Sequence, residues 1–279
     1  MKRLFIFGLG YTAARIAAAA QTKGWEVVST GRHGTLSFDD DGSVRIALAD
    51  SDQVLSSVPP GVDGDPVLER YGPALAGKGL TYLSATGVYG DTGGAWVDET
   101  APTGTGRRTA RAEADAAWLA RGARVLRLPG IYGPGRSALE RVREGKAHRI
   151  ALPGQVFSRI HVDDIVSAAV AVLEAPPGAY NLADDLPCSQ NAVIEEACRL
   201  LGLEPPPLQS LDAVDLSPMA RAFYAENRRI ANGKAKRVLG WQPRYPTFRE
   251  GLSACFGESA ISRPIIANTA PPPASADQR

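Results

Sequence analysis

The chain has 279 residues, 44% hydrophobic and 22% charged, a balance ordinary for a globular protein and sufficient for one large domain or a main domain with a smaller lobe. Its formal net charge of +1 gives the surface as a whole no pull toward nucleic acid or an anionic membrane, so neither is expected as a partner. Three widely spaced cysteines, Cys188, Cys198 and Cys255, form no CxxC pair; this argues against a zinc knuckle or a disulfide framework and for free thiols in a reducing cytoplasm.

Met1-Lys2-Arg3 followed by LFIF looks like the start of a signal peptide, but Gly8 and Gly10 interrupt the apolar run and no small-residue cleavage site follows. No run approaches the eighteen apolar residues of a membrane span, and a cytoplasmic location is expected. Arg3 to Phe7 predicts a buried parallel strand. Tyr11 to Lys23 predicts an alanine-rich helix, with Gly24 at its C-terminal cap, and Trp25 to Ser29 a second strand. Further β-type runs follow at VLSSV (54–58), LTYLS (80–84) and RVLRL (124–128), separated by helical patterns such as Arg107 to Ala120.

This alternation predicts the α/β class, a Rossmann-type doubly wound parallel sheet. Beyond residue 130 the pattern is less regular, with helices expected at 163–174 and 189–202, and it predicts a smaller C-terminal substrate lobe. The expected division is a dinucleotide-binding core over 1–155, a mixed part over 156–258 holding the substrate lobe and returning core segments, and a disordered tail over 259–279, which contains NTAPPPASADQR.

Gly8-Leu9-Gly10-Tyr11-Thr12-Ala13 gives GxGxxA between the first strand and the first helix. Gly8 permits the tight turn, Gly10 lets the backbone approach a pyrophosphate, and Ala13 lets helix and strand pack closely while the helix N-terminus faces the phosphates. Gly8, Leu9, Gly10, Tyr11 and Thr12 are therefore candidate cofactor contacts, the alternative being a purely structural turn. An NAD site would carry an acid at the end of the second strand. Here that stretch reads Ser29-Thr30-Gly31-Arg32-His33, and Glu26 lies too early. Arg32 suits the 2′-phosphate of NADP(H), unless it is only a solvated loop residue, so NADP(H) is the expected cofactor and NAD(H) the second choice.

Leu83-Ser84-Ala85-Thr86-Gly87-Val88-Tyr89-Gly90, VDET (97–100), LRLPGIYGPGR (126–136), SRIHVDDIVSA (158–168), AYNLADD (179–185) and NRRIANGKAKRVLGWQPRYPTFREGL (227–252) follow in an order that resembles the extended, epimerase/dehydratase-like short-chain dehydrogenases. The resemblance covers almost the whole chain. It implies a Rossmann core with a C-terminal substrate lobe, Asp39 after a short third strand and near the adenine, and Ser57 within a segment (56–60) passing the cofactor at the end of a fourth strand. It also implies that IYGPG, after a sixth strand, lies near the nicotinamide.

The catalytic signature of that family is missing. No tyrosine is followed by lysine four residues later; the two positions hold Thr105 and Thr109. The usual catalytic hydroxyl position holds Ala85, flanked by Ser84 and Thr86. Such departures resemble the atypical subgroup, in which the cofactor site persists without the standard acid–base group. Ser84, Thr86 and Tyr132 are the candidate catalytic residues, Tyr132 as a general acid. No GxSxG elbow surrounds Ser84, so a hydrolase nucleophile is not expected. Arg107, Arg108 and Arg111, and likewise Arg228 and Arg229, either meet an anionic substrate or cofactor phosphate or are solvated.

His161 invites a catalytic or metal reading, but the resemblance favours a structural HVDD turn with Asp163 or Asp164 as helix N-cap. With only three histidines no metal site is expected. The expected function is an NADP(H)-binding oxidoreductase or epimerase/dehydratase-like enzyme without the Tyr-Lys dyad, acting on a nucleotide sugar or small carbonyl compound. The alternative is a non-catalytic NADP(H)-binding sensor or regulator, and a plain scaffold with a vestigial pocket is the third reading.

Overall fold

A computed structural model of the chain describes residues 1–106 and 109–261. In chain order the strands are β1 (Arg3–Phe7), β2 (Glu26–Ser29), β3 (Gln53–Ser56), β4 (Gly79–Ala85), β5 (Trp96–Val97), β6 (Arg124–Leu128), β7 (Gly130–Tyr132), β8 (Arg149–Ile150), β9 (Arg159–His161), β10 (Gly178–Asn181), β11 (Leu208–Gln209) and β12 (Arg229–Ile230). The helices are α1 (Tyr11–Thr22), α2 (Asp41–Ala49), α3 (Pro66–Tyr71), α4 (Thr109–Ala120), α5 (Ala138–Arg143), α6 (Val162–Val172), α7 (Gln190–Leu201), α8 (Pro218–Phe223), α9 (Gly233–Leu239) and α10 (Phe248–Ile261).

Six strands form one parallel sheet in the order β10-β6-β4-β3-β1-β2. Its centre is apolar on both faces because helices cover both, as a parallel sheet requires. The alternation of side chains along β1 shows the division. Leu4 and Ile6 pack with Ala13 and Ile16 of α1 and Ile165 and Ala169 of α6, whereas Phe5 and Phe7 pack with Val44, Tyr71 and Trp118 on the other face. On that second face Tyr82 and Trp118 stack at 5.3 Å, and Trp118 Nε1 donates to Asp65 Oδ2 at 2.8 Å. The other oxygen of Asp65 accepts from Val67 N and Leu68 N and so caps α3. A separate apolar cluster, containing Leu139, Ile194, Phe248 and Leu252, joins α5, α7 and α10 into the C-terminal lobe.

Three expectations are corrected. No third strand forms before Asp39: Leu36 makes only a lone bridge to Thr30, because the chain turns directly into α2, whose N-cap is Asp40. Ser57 consequently follows the third strand, not a fourth. The cap of α6 is neither Asp163 nor Asp164 but His161, whose Nδ1 accepts from Asp163 N at 3.2 Å; Asp164 instead turns inward to accept from Arg244 N and Tyr245 N. Finally, α10 continues to Ile261, into the segment expected as a tail, and the rest of that segment lies outside the described residues.

β10 and α6 come from the second half of the chain, yet β10 completes the sheet and α6 packs against α1. The chain moves outward from β1 to β2 and then crosses to β3 on the other side of β1. That reversal opens a crevice at the C-terminal ends of β1 and β3, where open α/β sheets bind their ligands.

Candidate functional site

At the end of β1 the backbone turns through Gly8, at φ +83°, and enters α1 with Gly10 as an N-cap lacking any side-chain acceptor. A Cβ on Gly8 would lie 3.0 Å from Val58 Cγ2 and 3.1 Å from Ser57 Oγ, so this glycine is required by both its φ and its neighbours. A Cβ on Gly10 would meet nothing within 4 Å. Gly10 therefore faces open space, and beside it the first-turn amides of α1 lack intrahelical partners, the arrangement that suits an anion. Leu9 N donates to Thr30 O at 2.8 Å, and Gly31, at φ +121°, fits closely against Leu9 N. Ser57 N donates to Phe7 O at 2.9 Å, and Ser57 Oγ donates to Gly8 O.

That open space is a cleft of about 540 Å³. Gly10 to Ala13 and Ser57 form one side, the ends of β4 and β6 its floor, and Glu226 and Arg228 a far wall. Leu9 and Arg32 do not line it. Arg32 is exposed, one residue beyond the Gly31–Leu9 contact, with no ion-pair partner among the described residues. Asp39 is exposed and engaged by Arg70; Arg70 Nη2 donates to Asp39 O at 3.0 Å and Nε to Asp41 at 2.6 Å.

The three catalytic candidates are treated differently. Thr86 lines the cleft and its hydroxyl has no hydrogen-bond partner among the described residues. Ser84 also lines the cleft, but its hydroxyl donates to Asp115 Oδ2 at 2.7 Å. Asp115 belongs to a buried network: Arg127 donates to it from Nε at 3.1 Å and Nη2 at 2.7 Å, and from Nη1 to Tyr89 Oη at 2.9 Å, while Tyr89 donates to Asn181 Oδ1 at 2.7 Å. Burial works against the charge of Arg127, but the Asp115 carboxylate outweighs it and the pKa is raised. For Tyr89 burial acts in the opposite direction and raises the pKa.

Tyr132 lies outside this cleft. Its Oη is buried without a partner among the described residues and so close to α10 that a Cβ on Gly251 would sit 2.1 Å from it. Burial, with Asp184 and Cys255 nearby, pushes the phenol pKa far above the usual tyrosine range. Its ring packs edge-on to His161 at 5.2 Å. Burial pushes the His161 pKa down to about 4, so the imidazole is neutral at neutral pH and serves as cap and packing group. No group of three metal-ligating side chains occurs among the described residues.

Thr105 donates to Tyr89 O at 2.8 Å and Thr109 begins α4; neither lines the cleft. Arg111 does, and donates to Tyr82 Oη at 2.8 Å. Arg228 donates to Gly90 O at 2.6 Å and Glu226 at 2.8 Å, and Arg229 turns away to Gly94 O. Arg107 and Arg108 lie outside the described residues. Two residues with no signal of their own in the sequence also belong here: Arg136, which follows the YGPG turn, lines the cleft and stacks over Tyr11 at 5.6 Å, and Asp115, an acid inside an alanine-rich helix. A second cavity of about 450 Å³, bounded by Tyr132, Phe157, Arg159 and Phe248, shares Gly130, Ile131, Arg136 and Phe223 with the cleft. Among the described residues no helix is long and apolar enough to cross a membrane.

No family model matches the chain. A conserved protein of unknown function from Silicibacter pomeroyi has a solved structure with a TM-score of 0.82 and 39% identity, the match covering 93% of this chain and 99% of that one. This chain belongs to the same family as that protein. The dTDP-glucose 4,6-dehydratase of Bacillus anthracis, solved in complex with NAD, matches with a TM-score of 0.75 over 94% of this chain and 97% of that one, at 17% identity. The fold is thus the one shared by the extended, epimerase/dehydratase-like short-chain dehydrogenases. A 3-diazoavenalumate denitrifying reductase from a Streptomyces species is 34% identical over 140 residues, 46% of this chain and 45% of that protein.

Proposed function

We propose that the cleft binds NADP(H) and that the chain is an oxidoreductase of the epimerase/dehydratase-like kind, acting on a nucleotide sugar or small carbonyl compound without a Tyr-Lys dyad. The observation that carries this reading is Gly10: the one substituent that would fill the mouth of the cleft is absent there, beside the uncapped N-terminus of α1. The NAD bound by the Bacillus dehydratase and the reductase named in Streptomyces support it. The preference for NADP(H) over NAD(H) rests on Arg32, a cation with no ion-pair partner among the described residues, where an acid would otherwise hold the ribose.

A bound nicotinamide would give or take up a hydride. The chain's own contribution is position. Gly8 and Ser57 hold the turn, the first turn of α1 receives the pyrophosphate, and the Thr86 hydroxyl, free on the cleft floor, can hydrogen-bond a substrate oxygen. Ala85 brings no hydroxyl beside it, and that of Ser84 is held by Asp115. The sensor reading is favoured by one observation: Thr105 and Thr109 are outside the cleft, so nothing at the dyad positions reaches a reacting atom.

Calorimetric titration of the wild type is expected to show NADPH bound at least about tenfold more tightly than NADH, roughly 1.4 kcal/mol, with Arg32→Ala removing the difference and sparing NADH. Equal losses for both would give Arg32 a structural role, and no binding of either dinucleotide would sink the reading. Deuterium transfer from 4-deuterated NADPH to a panel of aldehydes and ketones separates enzyme from sensor.

A further inference from the structure

Two buried arginines stand near the cleft, and they are satisfied to opposite degrees. Arg127 uses Nε, Nη1 and Nη2 on Asp115 and Tyr89. Arg159 is only 6% exposed, yet its one hydrogen bond among the described residues runs from Nη1 to Cys188 Sγ at 2.8 Å, and it makes no ion pair there. Its Nε and Nη2 have no hydrogen-bond partner among the described residues, and Arg159 lines the second cavity. Asp184 lies within reach of the Arg159 charge without pairing, and burial pushes that carboxyl up to about 7. A buried guanidinium held this way lacks a counter-ion among the described residues, an arrangement that folding alone disfavours.

We propose that the second cavity binds a small carboxylic acid with an apolar, ring-bearing body, its carboxylate seated on Nε and Nη2 of Arg159. Those two nitrogens form the side of the guanidinium fork that matches a planar carboxylate with two parallel bonds. Phe157, Phe248, Val193, Leu252, Ile131 and Ala138 supply walls for a ring, with Phe248 within 5.8 Å of the Arg159 guanidinium. A volume of about 450 Å³ lies in the range of small-molecule sites. Glu140 and Glu144 line the same cavity and Asp184 lies behind it, so a single negative charge is favoured over a dianion. The shared wall at Gly130, Ile131, Arg136 and Phe223 lets the far end of such an acid reach the cleft. That the acid binds rests on the cavity alone; that it is the substrate rests on the cofactor reading above.

The test uses the full chain and three probes, 3-phenylpropanoate, 3-phenylpropanol and phenethyl phosphate, followed by calorimetry. The wild type is expected to bind the carboxylate at least about tenfold more tightly than the alcohol and more tightly than the phosphate. Arg159→Gln should remove the advantage over the alcohol, Arg159→Lys should keep part of it, and Val193→Phe, which fills the cavity, should weaken both acid and alcohol. Thermal unfolding identifies any variant that fails to fold, and the wild-type acid-to-alcohol ratio and Val193→Phe decide if Arg159→Gln does. The proposal is overturned by equal binding of acid and alcohol, by binding of neither, by preference for the phosphate, or by full acid affinity in folded Arg159→Gln. Parallel NADPH titration keeps the readings apart: NADPH binding without acid binding sinks only this inference, and acid binding without NADPH binding sinks only the cofactor reading.

Discussion

Ser57 donates its hydroxyl to the carbonyl of Gly8, tying the end of β3 to the turn that leaves β1. The contact fixes the two strand ends whose divergence opens the cleft, and it is made possible because Gly8 has no side chain to hold Ser57 away.

The two glycines of the turn are therefore expected to fail in different ways. Gly8→Ala puts a Cβ at positive φ and 3.0 Å from Val58 and should cost about 1–3 kcal/mol of stability, measured by urea denaturation. Gly10→Asp has room, so the fold should persist while dinucleotide affinity falls by more than tenfold, because a carboxylate faces the pyrophosphate. Unchanged affinity in folded Gly10→Asp would remove the site assignment.

Asp115 and Arg127 are 1% and 4% exposed in their side chains, so removing one partner leaves a buried charge behind. Asp115→Ala should destabilise by roughly 3–5 kcal/mol, and Asp115→Leu with Arg127→Leu should recover part of that loss. A double-mutant cycle in urea checks it; additive losses would mean the pair is not coupled.

Asp184 makes stability depend on pH in a defined direction. Its folded pKa, about 7, lies above the ordinary 3.8 because burial opposes the charge, so the folded state holds the proton longer. Its contribution is therefore most favourable at low pH and declines as pH rises between about 4 and 7, by up to a few kcal/mol at about 1.4 kcal/mol per pH unit. His161, lowered to about 4, acts the other way between about 4 and 6.5, and Asp164, raised by burial to about 6, acts in the same sense as Asp184, so the wild-type curve mixes all three. The difference in melting temperature between Asp184→Asn and wild type isolates the aspartate: the variant should gain on the wild type as pH rises from 5 to 8, and a constant difference would refute the shift.

Tyr132 carries a buried hydroxyl with no partner among the described residues. Tyr132→Phe should leave stability unchanged or raise it by up to about 1 kcal/mol, since a desolvated hydroxyl is removed at nearly constant volume. A loss of more than about 1 kcal/mol in chemical denaturation would reveal a hydrogen bond that matters.

Much of this architecture is legible in the sequence because parallel strands covered on both faces are continuous apolar runs, as in Leu4 to Phe7 and Leu80 to Leu83. The glycine turn is legible for a different reason: a φ of +83° favours glycine at position 8 over any residue with a Cβ. Arg127 and Asp115 are harder to see. A charge inside a buried strand announces a partner, but it lies across from a helix whose alanine spacing says nothing of direction. The cap of α6 is ambiguous in the sequence because three polar residues within four positions, His161, Asp163 and Asp164, all suit an N-cap; the hydrogen bonds from Arg244 and Tyr245, some eighty residues away, decide which acid turns inward. Arg159 is invisible as an unpaired charge until the cavity beside it is seen.

The place of β10 also bears on how the chain is made. Gly178–Asn181 pairs with β6 and closes that edge of the sheet, so the first half of the chain cannot finish folding when its own last sheet strand leaves the ribosome. Leu126 and Tyr180, both buried in the finished sheet, must wait for some fifty further residues to be synthesised before they meet. At ordinary translation rates that leaves an unpaired strand edge exposed for several seconds, the interval in which a chaperone or a second nascent chain would compete for it.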